Sequence, residues 1–344
     1  MQVAVFNAGS SSLKCKLFSL ESMECVGSFF IEHIGEEGSK VQNHEEALQS
    51  LDIDFSKFDA IGHRVVHGGE FFTKSTLVDD AMLEKLERLN SLAPLHNPAN
   101  ILGIKTAKKY APDIPQVAVF DTAFHATMPK EAYLYALSQE MYEKHAIRRY
   151  GFHGTSHAYI TKMAAKALGK KLDEVNLVTL HLGNGASACA VQNGKSIDTS
   201  MGFTPLEGLV MGSRSGDIDP AIVLYMQNAL GMSKEEVNQE LNKKSGLLGI
   251  CGDNDLREIL KRDDAEANLA IDMMVRRIQK YIGSYMALLG EIDAIVFSGG
   301  IGENSQYIRE RVLDSKMFEN IKSLVIKTEE ELEIALECKK VLQA

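Results

Sequence analysis

The sequence has little that would tie it to a secreted disulfide frame, a membrane or a nucleic acid. Its five cysteines (Cys15, Cys25, Cys189, Cys251 and Cys338) are odd in number, widely spaced and never arranged as C-x-x-C. That pattern argues against a disulfide scaffold or a zinc site and fits reduced thiols in a cytoplasmic protein. There is no run of about 18 apolar residues, so no membrane span is expected. The N-terminus enters a strand pattern at once, without the basic region and apolar core of a signal peptide. Lysine and arginine number 37 against 47 acidic residues, a net charge of −10. A nucleic-acid partner would call for a basic face instead. Proline is scarce, at 7 residues, and no low-complexity tract marks a linker. What remains is a chain of 344 residues, 45% hydrophobic and 24% charged. This is an ordinary globular composition, long enough for two domains.

Apolar runs of strand length occur at 3–6, 60–66, 116–120, 176–182 and 293–299. Helical periodicity dominates near 80–90, 99–110, 156–168, 220–230, 265–289 and 305–313. Strands alternating with helices favour an α/β class with largely buried sheets.

The opening strand leads into NAGSSSLK, residues 7–14, a turn unusually small and rich in hydroxyls for a β-hairpin. A similar hairpin returns half a chain later. VFNAGSSSLKCKLF (5–18) resembles TLHLGNGASACAVQ (179–192), with Asn7 and Gly9 matched by His181 and Gly183. From position 7 to position 181 the offset is 174 residues, close to half the chain length, 172. Two copies of one α/β domain explain this; chance similarity is the alternative, since Gly-rich hairpin turns are common. A third Gly-rich segment, VFSGGIGENS (296–305), reads as a buried strand, a glycine turn and a helix from about Ser305. Such settings expose backbone N–H groups to phosphates. It is neither a Walker A loop nor G-x-G-x-x-G.

The chain resembles the acetate kinase family, within the acetate and sugar kinase/Hsp70/actin superfamily, over essentially its whole length. The residues that carry the resemblance are NAGSSSLK (7–14), GHRVVHGGE (62–70), PLHNP (94–98), FDTAFH (120–125) and YGFHGTSH (150–157). HLGNGAS (181–187), GFTPLEGLVMGSRSGDIDP (202–220), SGGIGENS (298–305) and TEEELEIA (328–335) complete the set. The fold this implies is α/β: duplicated RNase H-like (actin-like ATPase) domains with an ATP cleft between them. The expected division is 1–125 plus 332–344 for the N-terminal domain and 126–331 for the nucleotide-binding one. The implied reaction is reversible transfer of the ATP γ-phosphoryl group to acetate, giving acetyl phosphate, with Mg2+ (or Mn2+) as cofactor. A cytoplasmic homodimer is implied, with no nucleic-acid or membrane partner.

The resemblance also assigns roles. Ser10, Ser12 and Lys14 meet the phosphates, and Asn7 and Glu330 the metal. Read alone, the serines would be an ordinary solvated turn. Arg64 binds the acceptor carboxylate, for which a guanidinium fork is well shaped. Val66, Leu95, Phe152 and Pro205 surround the acetate methyl group. Asp121 is an essential acid; acetate is already ionised at neutral pH, so Asp121 is read as an organiser of Mg2+ and substrate, with a helix N-cap as the alternative. His153 and Arg214 are the transition-state stabilisers. His153 and His157 also stand at the i, i+4 spacing of a zinc site, but without the Glu of H-E-x-x-H. For the nucleotide the resemblance points to His181, Leu182, Gly183, Asn184 and Gly185; to Asp255, Leu256 and Arg257; and to Gly300, Ile301, Gly302, Glu303 and Asn304.

The sequence departs from the family pattern in two shortened segments. One precedes Arg64, and the other lies between GGIGENS and KTEEELEIA. Glu329, Glu330 and Glu331 are adjacent, so the register of the metal ligand is open. Two competing readings are a propionate or butyrate kinase on the same scaffold and an actin- or Hsp70-like ATPase. The set Arg64, Asp121, His153 and Arg214 has no purpose in the second.

Overall fold

The computed structural model describes residues 1–9, 11–36, 38–94 and 96–344. Its packing divides the chain into two compact units. Unit 1 comprises Met1–Ala126, Gly154–Tyr159 and Glu329–Ala344; unit 2 comprises Thr127–His153 and Ile160–Thr328.

Unit 1 is built on a mixed sheet of β1 (Gln2–Ala8), β2 (Leu13–Ser19), β3 (Glu24–Ile31), β4 (Ala60–Val65), β5 (Thr76–Leu77) and β6 (Gln116–Phe120). The strand order is β3-β2-β1-β4-β6-β5. β1, β2 and β3 form an antiparallel meander, while β4 and β6 add in parallel. The run VAVF is continuously apolar because both faces of β1 are covered. Ala4 and Phe6 pack with Ala107 and Ala111 of the helix Asn97–Tyr110. Val3 and Val5 pack with Leu332, Ile334 and Cys338 of the helix Glu330–Leu342. Full burial of a side chain such as Ile334 contributes roughly 1.5–3 kcal/mol.

Unit 2 repeats the plan with β7 (Leu177–Leu182), β8 (Ala186–Gln192), β9 (Lys195–Thr199), β10 (Ala294–Ser298) and β11 (Ser323–Val325). Its order, β9-β8-β7-β10-β11, matches β3-β2-β1-β4-β6 strand for strand, with the same antiparallel meander and parallel additions. Even the irregularity recurs: the pairing shifts register between Leu17 and Phe18 in one sheet and between Ala190 and Val191 in the other. The duplication expected from the two hairpins is therefore present in the sheets. The helix Ala265–Leu289 supports this sheet through β8, burying Ala267, Ala270, Ile271, Met274, Ile278, Ile282 and Tyr285 at helical spacing. Asp264 caps its start by accepting from the Ala267 amide at 2.9 Å.

One expectation needs correction. The segment Gly299–Asn304 is not an open turn before a helix at Ser305 but a short helix itself, followed by a second, Gln306–Leu313. Gly299, at φ +75°, makes the left-handed bend that lets the helix begin directly at the strand end. His153 and His157 do not share a helix face, because His153 is the left-handed residue preceding the helix Gly154–Leu168. The zinc spacing therefore has no geometric basis.

Candidate active site

In unit 1 the first hairpin pairs Asn7 with Lys14 and Ala8 with Leu13. Its turn is closed by Gly9 N–H donating to Ser12 O at 2.8 Å. The His44 ring is hydrogen-bonded to the Gly9 carbonyl at 2.7 Å. Ser10 and Leu95 lie outside the described residues.

Arg64 lies on β4 and Asp121 directly follows β6, its neighbour in the sheet. Nε of Arg64 donates to Asp121 Oδ1 at 3.1 Å and Nη2 to Oδ2 at 2.7 Å. Nη1 faces Glu330 Oε2 at 3.8 Å. Burial opposes the charge on Arg64, but Asp121 and then Glu330 more than offset it and hold the guanidinium protonated. The Asp121 side chain is only 2% exposed. The Thr155 hydroxyl also donates to it, at 3.3 Å, and the Gly154 amide donates to the Asp121 carbonyl at 2.8 Å. A Cβ at Gly154 would stand 2.1 Å from that carbonyl oxygen, so no side chain fits there.

The three adjacent glutamates are sorted by the first turn of the C-terminal helix. Glu330 turns to Arg64, Glu331 pairs with Lys14 and Lys16, and Glu329 pairs with Lys16. Burial raises the Glu331 carboxyl, but Lys14 and Lys16 outweigh it and leave it below the usual carboxylate range.

Sequence reasoning missed two asparagines. Asn100, on the helix Asn97–Tyr110, accepts from the Val66 amide at 3.0 Å and donates to the Ala8 carbonyl at 2.8 Å. Asn97 accepts from the His67 amide at 3.2 Å and donates to the His67 carbonyl at 3.0 Å. Together they fix the half-buried Val66 and the root of the first hairpin. The motif PLHNP contained Asn97, but nothing in the sequence shows what its amide reaches.

In unit 2 the second hairpin is closed by Gly183 N–H donating to Gly185 O at 3.0 Å, and Gly212 N–H donates to Asn184 O at 2.9 Å. A cavity of about 630 Å3 opens beside it, lined by residues including Gly183, Asn184, Asp255, Arg257, Gly300 and Asn304. Its size falls in the range of small-molecule sites. Eight of the residues named above for the nucleotide line it: Gly183, Asn184, Asp255, Leu256, Arg257, Gly300, Ile301 and Asn304; Leu182 lines a separate small recess that shares Gly183 and Ile301 with it. Asp255 caps a short helix by accepting from Arg257 N at 2.9 Å, and its carboxylate holds the Arg257 guanidinium flat, Nη2 to Oδ2 at 2.6 Å. Glu303 turns inward, accepting from the amides of Gly299 and Thr328, each at 3.0 Å, so it braces the segment.

His153 and Arg214 meet over the turn of the second hairpin. A Cβ placed on Gly185 would lie 3.5 Å from both Cε1 and Nε2 of His153 and 3.7 Å from Nη1 of Arg214. The His153 ring lies against that of His181, with centroids 4.4 Å apart, and its Nδ1 is hydrogen-bonded to Ser187 Oγ at 3.0 Å. His153 has φ +55°, a conformation that costs a non-glycine residue about 1–3 kcal/mol and that collects at functional sites. Arg214 donates to the Pro205 carbonyl at 3.0 Å and pairs with no carboxylate among the described residues. Burial alone lowers its pKa below the ordinary guanidinium value.

The segment carrying Pro205 is itself held by residues that the motifs did not expose. Arg149 donates to the carbonyls of Thr199, Ser200 and Met201 at 2.8, 3.2 and 3.1 Å and to Glu207 at 2.6 Å. Tyr135 donates to the same Glu207 and accepts from the Phe203 amide. Phe152 is buried next to His153, and Pro205 is half-buried.

Residues 40–340 match the acetokinase family. Acetate kinase from Sulfurimonas denitrificans is 51% identical, with 100% of each chain covered. That alignment spans 389 positions, 45 more than the 344 residues here, so the relative carries segments this chain lacks. Among solved structures, Porphyromonas gingivalis acetate kinase superposes with a TM-score of 0.94 at 38% identity, covering 99% of both chains. A propionate kinase from Francisella tularensis superposes with a TM-score of 0.92 at 42% identity, covering 98% of both.

Proposed function

Since the chain belongs to the acetokinase family, we propose that it is a kinase transferring the γ-phosphoryl group of ATP reversibly to acetate. The products are acetyl phosphate and ADP. The observation that carries this reading is the pair of donors over Gly185. Arg214 is a half-buried cation with no carboxylate partner among the described residues, and it shares the space over a residue without a side chain with His153. A charge partly withdrawn from water without a partner is costly until an anion completes it. A planar phosphoryl group, with charge spread over its equatorial oxygens, is such an anion.

The nucleotide is assigned to the cavity beside the second hairpin. The acceptor carboxylate is assigned to Arg64, whose Nη1 is not used on Asp121. Val66, Leu95, Phe152 and Pro205 are assigned to the acetate methyl group, and Ser10, Ser12 and Lys14 to phosphate oxygens. Lys14 would then exchange its bond to Glu331 for one to phosphate.

A Mg2+ ion, or Mn2+ in its place, is part of the proposal. Asn7, Asp121 and Glu330 offer only oxygen atoms from carboxylate and amide, the hard donors such ions prefer. Arg64 lies against both carboxylates, so the two acids face one space. No group of three or more His, Cys, Asp or Glu among the described residues could hold a metal. That suits an ion usually held by one or two carboxylates, with phosphates and water completing its shell. The ion would neutralise phosphate charge; Asp121 would orient it and the acceptor rather than remove a proton. We also place the enzyme in the cytoplasm as a homodimer. The free cysteines support the first statement. The exposed Ile222, Leu224 and Tyr225, on a helix with no buried residue, support the second.

A coupled ADP-release assay with Mg·ATP and acetate, propionate or butyrate tests the acceptor. Acetate is expected to give the highest kcat/KM, and equal rates with and without any acid would refute the proposal.

A further inference from the structure

We propose that Ser187 is a positioning residue that holds the neutral His153 ring with its proton on Nε2. The inference rests on the phosphoryl-facing role given to His153 above and concerns a contact that this role does not specify. Ser187 is the second residue of β8, fully buried, and paired in the sheet with His181. Its Oγ lies 3.0 Å from His153 Nδ1. The opposite edge of the ring, Nε2, looks over Gly185 toward the space it shares with Nη1 of Arg214.

The chemistry of that space decides the direction of the bond. A neutral imidazole carries one proton, and the two nitrogens cannot both donate. If Nδ1–H donated to Ser187, Nε2 would present a lone pair to the anionic oxygens of the phosphoryl group, which is repulsive. If the Ser187 hydroxyl donates to Nδ1, the ring proton stays on Nε2 and points where charge develops. A hydroxyl hydrogen rotates to suit its acceptor, so serine is able to take this role. The rest of the ring's placement is already fixed. Its backbone is left-handed, and the His181 ring covers one face at 4.4 Å. Neither a backbone conformation nor a ring stack chooses between tautomers, whereas a hydroxyl within hydrogen-bond distance of Nδ1 acts on that choice directly.

The test is nitrogen NMR of the His153 ring in the full-length enzyme without substrates, at about pH 8.5, above the ordinary imidazole pKa of ~6.5. Wild type is expected to show the Nε2–H tautomer. Ser187→Ala should yield a mixture, and Ser187→Thr, which keeps the hydroxyl, should retain the wild-type signature. Thermal melts of both variants establish that each is folded; if the alanine variant is not, Ser187→Cys, a much weaker donor, takes its place. An unchanged tautomer in the folded alanine or cysteine variant overturns the proposal, as does a wild-type ring protonated on Nδ1. Steady-state kinetics then separate the two readings. With a shifted tautomer, kcat should fall roughly ten- to hundredfold, as for other outer partners of functional histidines, with both KM values nearly intact. A shifted tautomer with wild-type kcat would sustain the Ser187 contact and refute instead the role of His153 on the phosphoryl group.

Discussion

Replacing Gly185 by alanine should leave the fold intact and disable the chemistry. Gly185 is not among the residues with left-handed backbone, and the added methyl would stand at ordinary contact distances, 3.5 Å from His153 and 3.7 Å from Arg214. Gly→Ala at a compatible position stabilises by about 0.4–1 kcal/mol, so the melting temperature should hold or rise slightly. The same methyl occupies the space that a phosphoryl oxygen needs. An oxygen bonded to Nη1 sits at about 3 Å. Pushed out to about 4 Å, at an effective dielectric of about 20, its attraction falls from about 5.5 to about 4.2 kcal/mol. Losing the His153 hydrogen bond adds about 1–1.5 kcal/mol. The sum, about 2.3–2.8 kcal/mol, is roughly fifty- to a hundredfold in kcat. The assay is steady-state ADP release with both substrates varied, alongside a thermal melt. A folded variant with wild-type kcat would show that the phosphoryl group does not sit over Gly185. Gly154→Ala is the contrasting control, since its Cβ would overlap the Asp121 carbonyl at 2.1 Å and should unfold the protein.

Arg64→Ala should raise the acetate KM at least thirtyfold while the ATP KM moves little, the expected cost of truncating a charged hydrogen-bond partner being roughly 2–5 kcal/mol. It also strips the buried Asp121 of its guanidinium, a loss of about 3–5 kcal/mol in stability, part of which Asp121→Asn in the same background should restore. An unchanged acetate KM removes Arg64 from the site. Val66→Ala should improve propionate relative to acetate by about tenfold in kcat/KM, as expected for one or two methylenes; a flat ratio would assign Val66 to packing alone. Burial depresses the His63 imidazole to about 4, below the ordinary 6.5. Above the unfolded value the ring is neutral in both states. As pH falls through 6.5 toward 4, only the unfolded chain takes up this proton, and up to about 3 kcal/mol of stability is lost across that window. In denaturant titrations His63→Gln should flatten this dependence, and identical slopes in variant and wild type would contradict the assignment.

The parts of the fold that could be read from sequence are those where both faces of a strand, or one stripe of a helix, are committed to a core. VAVF at 3–6 and VAVF again at 117–120 are apolar throughout because helices cover both sides, and the helix Ala265–Leu289 shows its buried stripe at regular spacing. β3 escaped detection because ECVGSFFI is an edge strand whose side chains are mostly exposed, so no alternation was imposed on it. The glycine segment at 299–304 was misjudged as an open turn because glycine lowers helix propensity. Its packing beneath Leu182 and the brace from Glu303 override that preference. Within the site, the residue types were legible, but their partners were not. Three consecutive glutamates are equivalent on paper, and only the helical turn sends Glu330 to Arg64 and Glu331 to Lys14 and Lys16. Asn100 carries no local signal either, since Val66 and Ala8 reach it from distant parts of the chain.

The central claim, that the γ-phosphoryl group passes to a carboxylate rather than to water, is tested most directly by counting both products of one reaction. With Mg·ATP and acetate in the presence of hydroxylamine, ADP is measured by a coupled assay and acyl phosphate as the trapped hydroxamate. The account predicts one hydroxamate for each ADP, with both vanishing when acetate is omitted. ADP formed without hydroxamate, at a rate indifferent to acetate, would make the chain an ATPase and contradict it.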